Sequence, residues 1–125
     1  MKFYSRRAIK PENLNSADVL FGGELLKWID EEAGIYAACQ MQSLRIVTKA
    51  ISDIEFLRPA KQGDIIEFGF DVVKRGYTSL TVCSEVRNKT SKEGIVRIKK
   101  IVFVHLDENN KPAPYPQKIE LCDFS

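Results

Sequence analysis

The chain has one histidine, His105, and three widely spaced cysteines, Cys39, Cys83 and Cys122, in 125 residues. No CxxC pair occurs, and the lone histidine gives the cysteines no metal-site company. Neither a zinc site nor a structural disulfide is expected, and the metal assignment is none. A Ser-His-Asp arrangement cannot be assembled convincingly around one histidine on an apolar terminal segment, where hydrogen-bonded packing fits His105 better. Cys39 lacks the local preparation that a reactive thiol needs, so it reads as inert. The formal net charge is only +2, too small to argue for nucleic acid, and Trp28 and the tyrosines read as packing groups. No run is long enough to span a membrane, and MKFYSRRAIKPEN has no apolar stretch of signal-peptide length. The expectation is a cytoplasmic protein.

What is present is a globular balance, 44% hydrophobic and 29% charged residues. A domain of this size buries about two-thirds of its unfolded surface. One domain over 1–125 is expected, with 107–125 a C-terminal extension of uncertain order.

Residues 2–9 read as a first strand ended by Pro11. A polar loop over 13–21 leads to Gly22-Gly23 and a long helix over 23–41, where Leu25, Leu26, Ile29, Ala33, Tyr36 and Ala37 recur at helical spacing. RIVTKAISDIEFL is rich in branched residues and reads as strand. Pro59 and Gly63 then mark a connection, and segments 65–75, 77–87 and 95–106 follow with short turns. These last three are predicted antiparallel neighbours. Gly69 reads as a bulge or a close backbone approach. One early helix before several strands calls for a two-layer α+β arrangement, the helix covering one face of an antiparallel sheet. The segment 101–106 is apolar on both sides, which favours an oligomer, although a buried central strand gives the same pattern.

Within LKWIDEEAGIYA, residues 26–37, Asp30 shares an arc with Leu26, Ala33 and Ala37, at or beside the packing face. Two readings stand. One is an interfacial aspartate that bonds backbone or pairs with an arginine. The other is a carboxylate at a cleft, ionised at neutral pH and able to orient and deprotonate water. Helix geometry does not choose. Gly22-Gly23 admits a group close to the backbone, and the first-turn N–H groups, with the positive helix end behind them, could receive an oxyanion. The plain alternative is an ordinary helix entry. Phe21 is expected to pack as a hydrophobic plug. Arg58, and Lys74-Arg75 before the Gly76 turn, could meet phosphates, with Thr78 and Ser79 as hydrogen-bond donors; otherwise they are solvated turn residues. Arg97 and Lys99-Lys100 form a second basic cluster, but strand alternation keeps all three from one ligand.

Asn15 in its loop, the FGG of Phe21-Gly22-Gly23, WIDEEAGIYAA at 28–38, IEFLRPAKQGD at 54–64 and GYTS at 76–79, in that order, resemble the hotdog-fold acyl-coenzyme A thioesterases. The resemblance runs from Met1 to Pro116 and is closest to the bacterial short- and broad-range acyl-CoA hydrolases and the vertebrate cytosolic brain-type hydrolase. It implies a long helix packed against a curved antiparallel sheet, and homodimers with active sites shared at the interface, commonly assembled as three dimers. Asp30 matches the family's catalytic aspartate and Asn15 its polar partner, contributed by the opposite subunit. Gly23 would supply the oxyanion donor, and Arg58, Arg75, Thr78 and Ser79 would meet the coenzyme. Coenzyme A is substrate moiety and product, and no cofactor is required. The implied reaction is thioester hydrolysis, with Asp30 as general base or as direct nucleophile. The alternative is a non-catalytic acyl-CoA-binding or scaffold protein. The chain departs from the pattern where relatives show a Gly-Asp or Gly-Asn pair: here stand Asp18-Val19, with Ala17 before them. Loop shape and chain-length preference are therefore not carried over.

Overall fold

Helix α1 (Gly22–Met41) begins one residue before the predicted start and buries Leu25, Trp28, Ile29, Ala33, Tyr36, Ala37, Gln40 and Met41. At 1.5 Å per residue its 20 residues span about 30 Å. It stops where Gln42 takes the left-handed conformation (φ 53°). There Gln42 N–H donates to Cys39 O and Ser43 N–H to Ala38 O, satisfying the last carbonyls without a glycine.

The computed structural model describes residues 1–116. Around the helix lie β1 (Lys2–Ala8), β2 (Ile46–Phe56), β3 (Ile65–Arg75), β4 (Ser79–Asn88) and β5 (Gly94–His105). They form one antiparallel sheet in the order β1-β3-β4-β5-β2. The expected β3-β4-β5 meander is therefore present, and β2 crosses over to pair with β5 at the far edge. The β4 strand starts at Ser79 rather than residue 77, because Gly76 N–H donates to Ser79 O and closes a turn through Tyr77 and Thr78.

Alternation along the strands builds the core. Phe68 and Phe70 of β3, Leu80, Val82 and Val86 of β4, and Val96, Ile98, Ile101 and Phe103 of β5 are all buried with the helix residues in one cluster. Full burial of each large side chain contributes about 1.5–3 kcal/mol. In β5 the alternation breaks: Val82 pairs with Ile101 and Ser84 with Ile98, so β5 carries an extra residue. Lys99 and Lys100 are consequently both exposed, not on opposite faces. Such bulges bend a sheet, and further ones fall at Phe3/Ser5 in β1, Thr48/Ala50 in β2 and Val72/Lys74 in β3.

Gly69 marks a close approach. A Cβ there would stand 2.9 Å from both Met1 Sδ and the Phe3 ring. Gly63 takes φ 88° in the predicted connection. Residues 107–116 run against the sheet. Asp107 closes the turn by accepting from Asn109 and Lys111 N–H. Ala113 N–H then donates to His105 O, and the buried Tyr115 donates its hydroxyl to Ser79 O at 2.7 Å. Residues 117–125, Cys122 among them, lie outside the described residues. No helix among the described residues is long and apolar enough to cross a membrane.

Candidate active site

Asp30 sits in the third turn of α1, half-buried beside fully buried Ile29. The neighbouring acids have structural partners: Glu32 accepts from Ser5 and Arg7, and Glu31 pairs with Arg7 at 3.3 Å. Asp30 does not share them. Its Oδ1 accepts the Thr48 hydroxyl at 2.7 Å, and among the described residues no cation pairs with it. A carboxylate kept for packing would be expected to hold an arginine or a backbone donor; this one holds a neutral hydroxyl at one oxygen, and among the described residues its second oxygen has no hydrogen bond.

Nothing in the sequence singles out Thr48. It lies on exposed edge strand β2, where a threonine reads as an ordinary strand former. Only its contact with the helix, across 18 residues of sequence, reveals it.

At the helix start, α1 has no side-chain cap on Phe21, so the Gly22 and Gly23 N–H groups depend on other partners. A Cβ on Gly23 would stand 2.9 Å from the Phe21 ring, and one on Gly22 would stand 3.4 Å from the Phe56 ring. The two glycines thus let aromatic rings lie against the first turn. Phe21 is no plug: it is 53% exposed, as Phe56 is 56% exposed. The N-cap position turns its ring outward over Gly23 instead of into the core. Beside the Phe56 ring lies a pocket of about 220 Å³ lined chiefly by Leu20, Leu25, Phe56, Leu57 and Ala60.

Asn15 organises the loop that leads into the helix. Its Oδ1 accepts from Ala17 N–H at 2.9 Å and Val19 N–H at 3.3 Å. The Leu14–Leu20 bridge closes the loop below it. Its amide nitrogen makes no hydrogen bond among the described residues, and none of its bonds reaches Asp30. Within one chain, then, Asn15 and Asp30 do not form a pair. The departure at Asp18 has a simple backbone account. Asp18 takes φ 60°, the conformation glycine adopts freely and aspartate tolerates better than most residues.

The four expected coenzyme contacts fall into two groups. Arg58 donates Nη1–H to Gly94 O at 3.0 Å and meets Glu93 at 3.4 Å, at the start of β5. Arg75 donates to Gln40 in the last turn of the helix, at the other end of the molecule. One Arg75 nitrogen, Nη1, is buried without a hydrogen-bond partner among the described residues. Thr78 and Ser79 lie near Arg75, in a turn whose carbonyls accept from His105 N–H and Tyr115 Oη–H. Within one chain the two groups lie toward opposite ends of α1.

The other chemistry-bearing residues have structural places. His105 Nδ1 lies 2.9 Å from Ala113 O and Nε2 lies 3.1 Å from Ser43 Oγ, the hydrogen-bonded role expected for it. Burial pushes the free Cys83 thiol up, away from thiolate. Cys39 is half-buried near the end of α1. Burial also raises Tyr36 to about 12, assisted by Tyr4 and Asp71. Among the described residues, no group of three His, Cys, Asp or Glu side chains could hold a metal ion.

Residues 17–95 match the thioesterase superfamily. A protein of Bacillus subtilis named as an uncharacterized acyl-CoA thioester hydrolase, YkhA, is 32% identical over 114 residues; the match covers 87% of this chain but only 64% of the relative's length. The hexameric thioesterase y2039 from Yersinia pestis superposes with a TM-score of 0.84 at 26% identity, over 92% of this chain and 95% of that one. The acyl-CoA hydrolase of Staphylococcus aureus, solved with butyryl coenzyme A and coenzyme A, gives 0.79 at 30% identity, over 90% of this chain and 67% of that one. Alanine variants of the Staphylococcus enzyme, also solved, replace an asparagine and an aspartate fifteen residues apart, the separation of Asn15 and Asp30 here. Another replaces a threonine seventeen residues after that aspartate, where Thr48 follows Asp30 by eighteen. The chain belongs to the thioesterase superfamily, as a hotdog-fold relative of the acyl-CoA thioester hydrolases.

Proposed function

We propose that this protein hydrolyses acyl-CoA thioesters to a free carboxylic acid and coenzyme A, with Asp30 as the group that activates water. The observation that carries the reading is the Asp30 carboxylate itself: half-buried, free of any cation among the described residues, and oriented by one short hydrogen bond from Thr48. Asp30 takes a proton from water as the oxygen attacks the acyl carbonyl carbon. Negative charge develops on the carbonyl oxygen, where the Gly23 N–H and the positive end of α1 stabilise it. The tetrahedral species then collapses, the carbon–sulfur bond breaks, and coenzyme A leaves as thiolate. Direct attack by Asp30 through a transient anhydride is the competing route. Label from oxygen-18 water entering the protein carboxylate in a single turnover would identify it.

Asn15 acts from a neighbouring protomer, orienting water or substrate through its uncommitted amide nitrogen. The site is thus shared in a homodimer, and three such dimers are the proposed assembly. Support comes from β2, a sheet edge of eleven residues that includes exposed Val47 and Phe56, alongside exposed Ile35 on the helix. A long bare edge of this kind invites a second chain. Residence in the cytoplasm goes with this reading.

The test is free-thiol release across short, medium and long acyl-CoA substrates, beside Asp30→Asn and Asn15→Ala. Asp30→Asn should lower turnover by about 10²-fold or more, the scale of a positioned proton-transfer group. Mixed oligomers carrying the two defects on separate chains should regain activity. Normal turnover by folded Asp30→Asn would defeat the proposal, and tight coenzyme binding without turnover in the native protein would mark an acyl-CoA-binding scaffold instead.

A further inference from the structure

The pocket beside Phe56 does not end at the helix. Arg58, Pro59 and Ile95 line it and also line a second pocket of about 280 Å³, whose other walls include Lys61, Asn88 and Ser91. The two form one trough, apolar toward Gly22 and polar toward the β4–β5 hairpin. Arg58 stands at the change of character. Asp64 also borders the polar part, but its Oδ2 accepts the Lys61 backbone N–H and is held in its own turn. Glu93 is the acid that faces Arg58, at 3.4 Å, and both side chains are more than half exposed.

We propose that the polar end of this trough binds a phosphate of coenzyme A through Arg58 and Lys61, and that Glu93 occupies Arg58 until the phosphate displaces it. The proposal rests on the acyl-CoA reading above and assigns the polar half of that substrate to one place.

Three observations favour it. A contact of 3.4 Å is well beyond the roughly 2.7–2.9 Å of a strong charge-assisted pair, and an exposed pair contributes little, so Glu93 is a weak competitor. Arg58 Nη1 stays anchored on Gly94 O while Nε turns to Glu93, so the guanidinium is already placed and need only change anions. The remaining expected coenzyme residues, Arg75, Thr78 and Ser79, line neither part of the trough.

The experiment compares the native protein with Arg58→Gln, Glu93→Gln and the double variant, measuring steady-state turnover of the best acyl-CoA and calorimetric binding of coenzyme A. Arg58→Gln should raise KM by about tenfold with the loss falling on KM rather than kcat. Glu93→Gln should lower KM by about threefold, the scale of an exposed ion pair. In the Arg58→Gln background, Glu93→Gln should change nothing, because its effect runs through Arg58. On acyl-pantetheine, which lacks every phosphate, the Arg58→Gln effect should shrink to within about twofold. Acyl-dephospho-coenzyme A, lacking only the 3′-phosphate, then tells whether that phosphate or the diphosphate is held. Arg58→Lys, which keeps the charge but not the fork, serves if Arg58→Gln does not fold. Unchanged affinity in folded Arg58→Gln would overturn the proposal. So would Glu93→Gln weakening binding as Arg58→Gln does, since the pair would then merely brace the loop. A native protein that neither turns over acyl-CoA nor binds coenzyme A would fail before any substitution, and that result strikes the functional reading itself.

Discussion

Replacing Thr48 with valine removes one hydroxyl and almost nothing else. Valine has nearly the shape of threonine and at least its preference for strands, and Thr48 lies on an exposed edge where no packing depends on it. What disappears is the 2.7 Å donation to Asp30 Oδ1. Hydrogen bonds to charged groups are worth about 1.5–3 kcal/mol when sheltered. With Thr48 exposed and Asp30 half-buried, water replaces part of that, and about 1.4 kcal/mol is a fair share, equal to a tenfold change in rate. Thr48→Val should therefore lower kcat about tenfold while KM moves little, because the hydroxyl aims the base and does not hold the substrate. Thr48→Ser should restore most of the loss, which a merely structural threonine would have no reason to show. In the Asp30→Asn background, Thr48→Val should add nearly nothing, since the two residues act as one unit. The assay is thiol release, with thermal unfolding to confirm that both variants fold. If folded Thr48→Val keeps native kcat to within about twofold, the hydroxyl does not position the base and the reasoning fails.

Glu67→Gln should make stability less dependent on pH. Burial alone would raise the Glu67 carboxyl, but hydrogen bonds from Arg87, Lys92 and Arg6 outweigh it and hold the group below the ordinary carboxylate range. The folded state thus favours the ionised form. Its contribution is complete above the ordinary range and is lost as pH falls through the depressed folded value. Because Arg6 and Lys92 are more than half exposed, the substitution should cost only about 1–2 kcal/mol at neutral pH. Denaturant unfolding should show that gap closing below about pH 4; a gap constant with pH would refute the account. Asp18→Gly should leave stability within about 0.5 kcal/mol and turnover intact, whereas Asp18→Val should cost about 1–2 kcal/mol at its left-handed φ. Equal melting temperatures for the two variants would contradict this. Gly23→Ala should gain up to about 1 kcal/mol of helix propensity, since the half-exposed Phe21 ring can swing from the new methyl, yet lose turnover as methyl and ring crowd the N–H. A variant both more stable and fully active would remove Gly23 from the mechanism.

What the sequence made legible follows from which forces act locally. The helix showed itself because Leu25, Ile29, Ala33, Tyr36 and Ala37 must all meet one sheet face, and that demand imposes a period. The meander showed itself because Gly76 and the 89–93 turn leave β3, β4 and β5 no room to do anything but fold back. The position of β2 was not legible, for its partner β5 lies some forty residues later and no turn dictates the pairing. The β5 bulge was hidden for a similar reason. Nothing local distinguishes Ile98 and Ile101, both facing inward three residues apart, from a strand read in strict alternation.

The site divides along the same line. Asp30 could be suspected from the sequence because it breaks a local rule, a charge at the edge of an apolar stripe. Thr48 breaks no rule, and neither does Glu93; each acquires a role only from what the fold sets against it. Asn15 is a third kind of case. Its loop is explained in full by its own hydrogen bonds, and within one chain those bonds leave it apart from Asp30. The strand that carries Thr48 is also the strand with the barest edge. If a second protomer covers that edge, it covers the mouth of Asp30 too, sheltering the Thr48–Asp30 bond and making it worth more than the single chain implies. The tenfold effect expected for Thr48→Val is then a lower bound in the assembled protein, and dilution to monomer should weaken the penalty together with the activity.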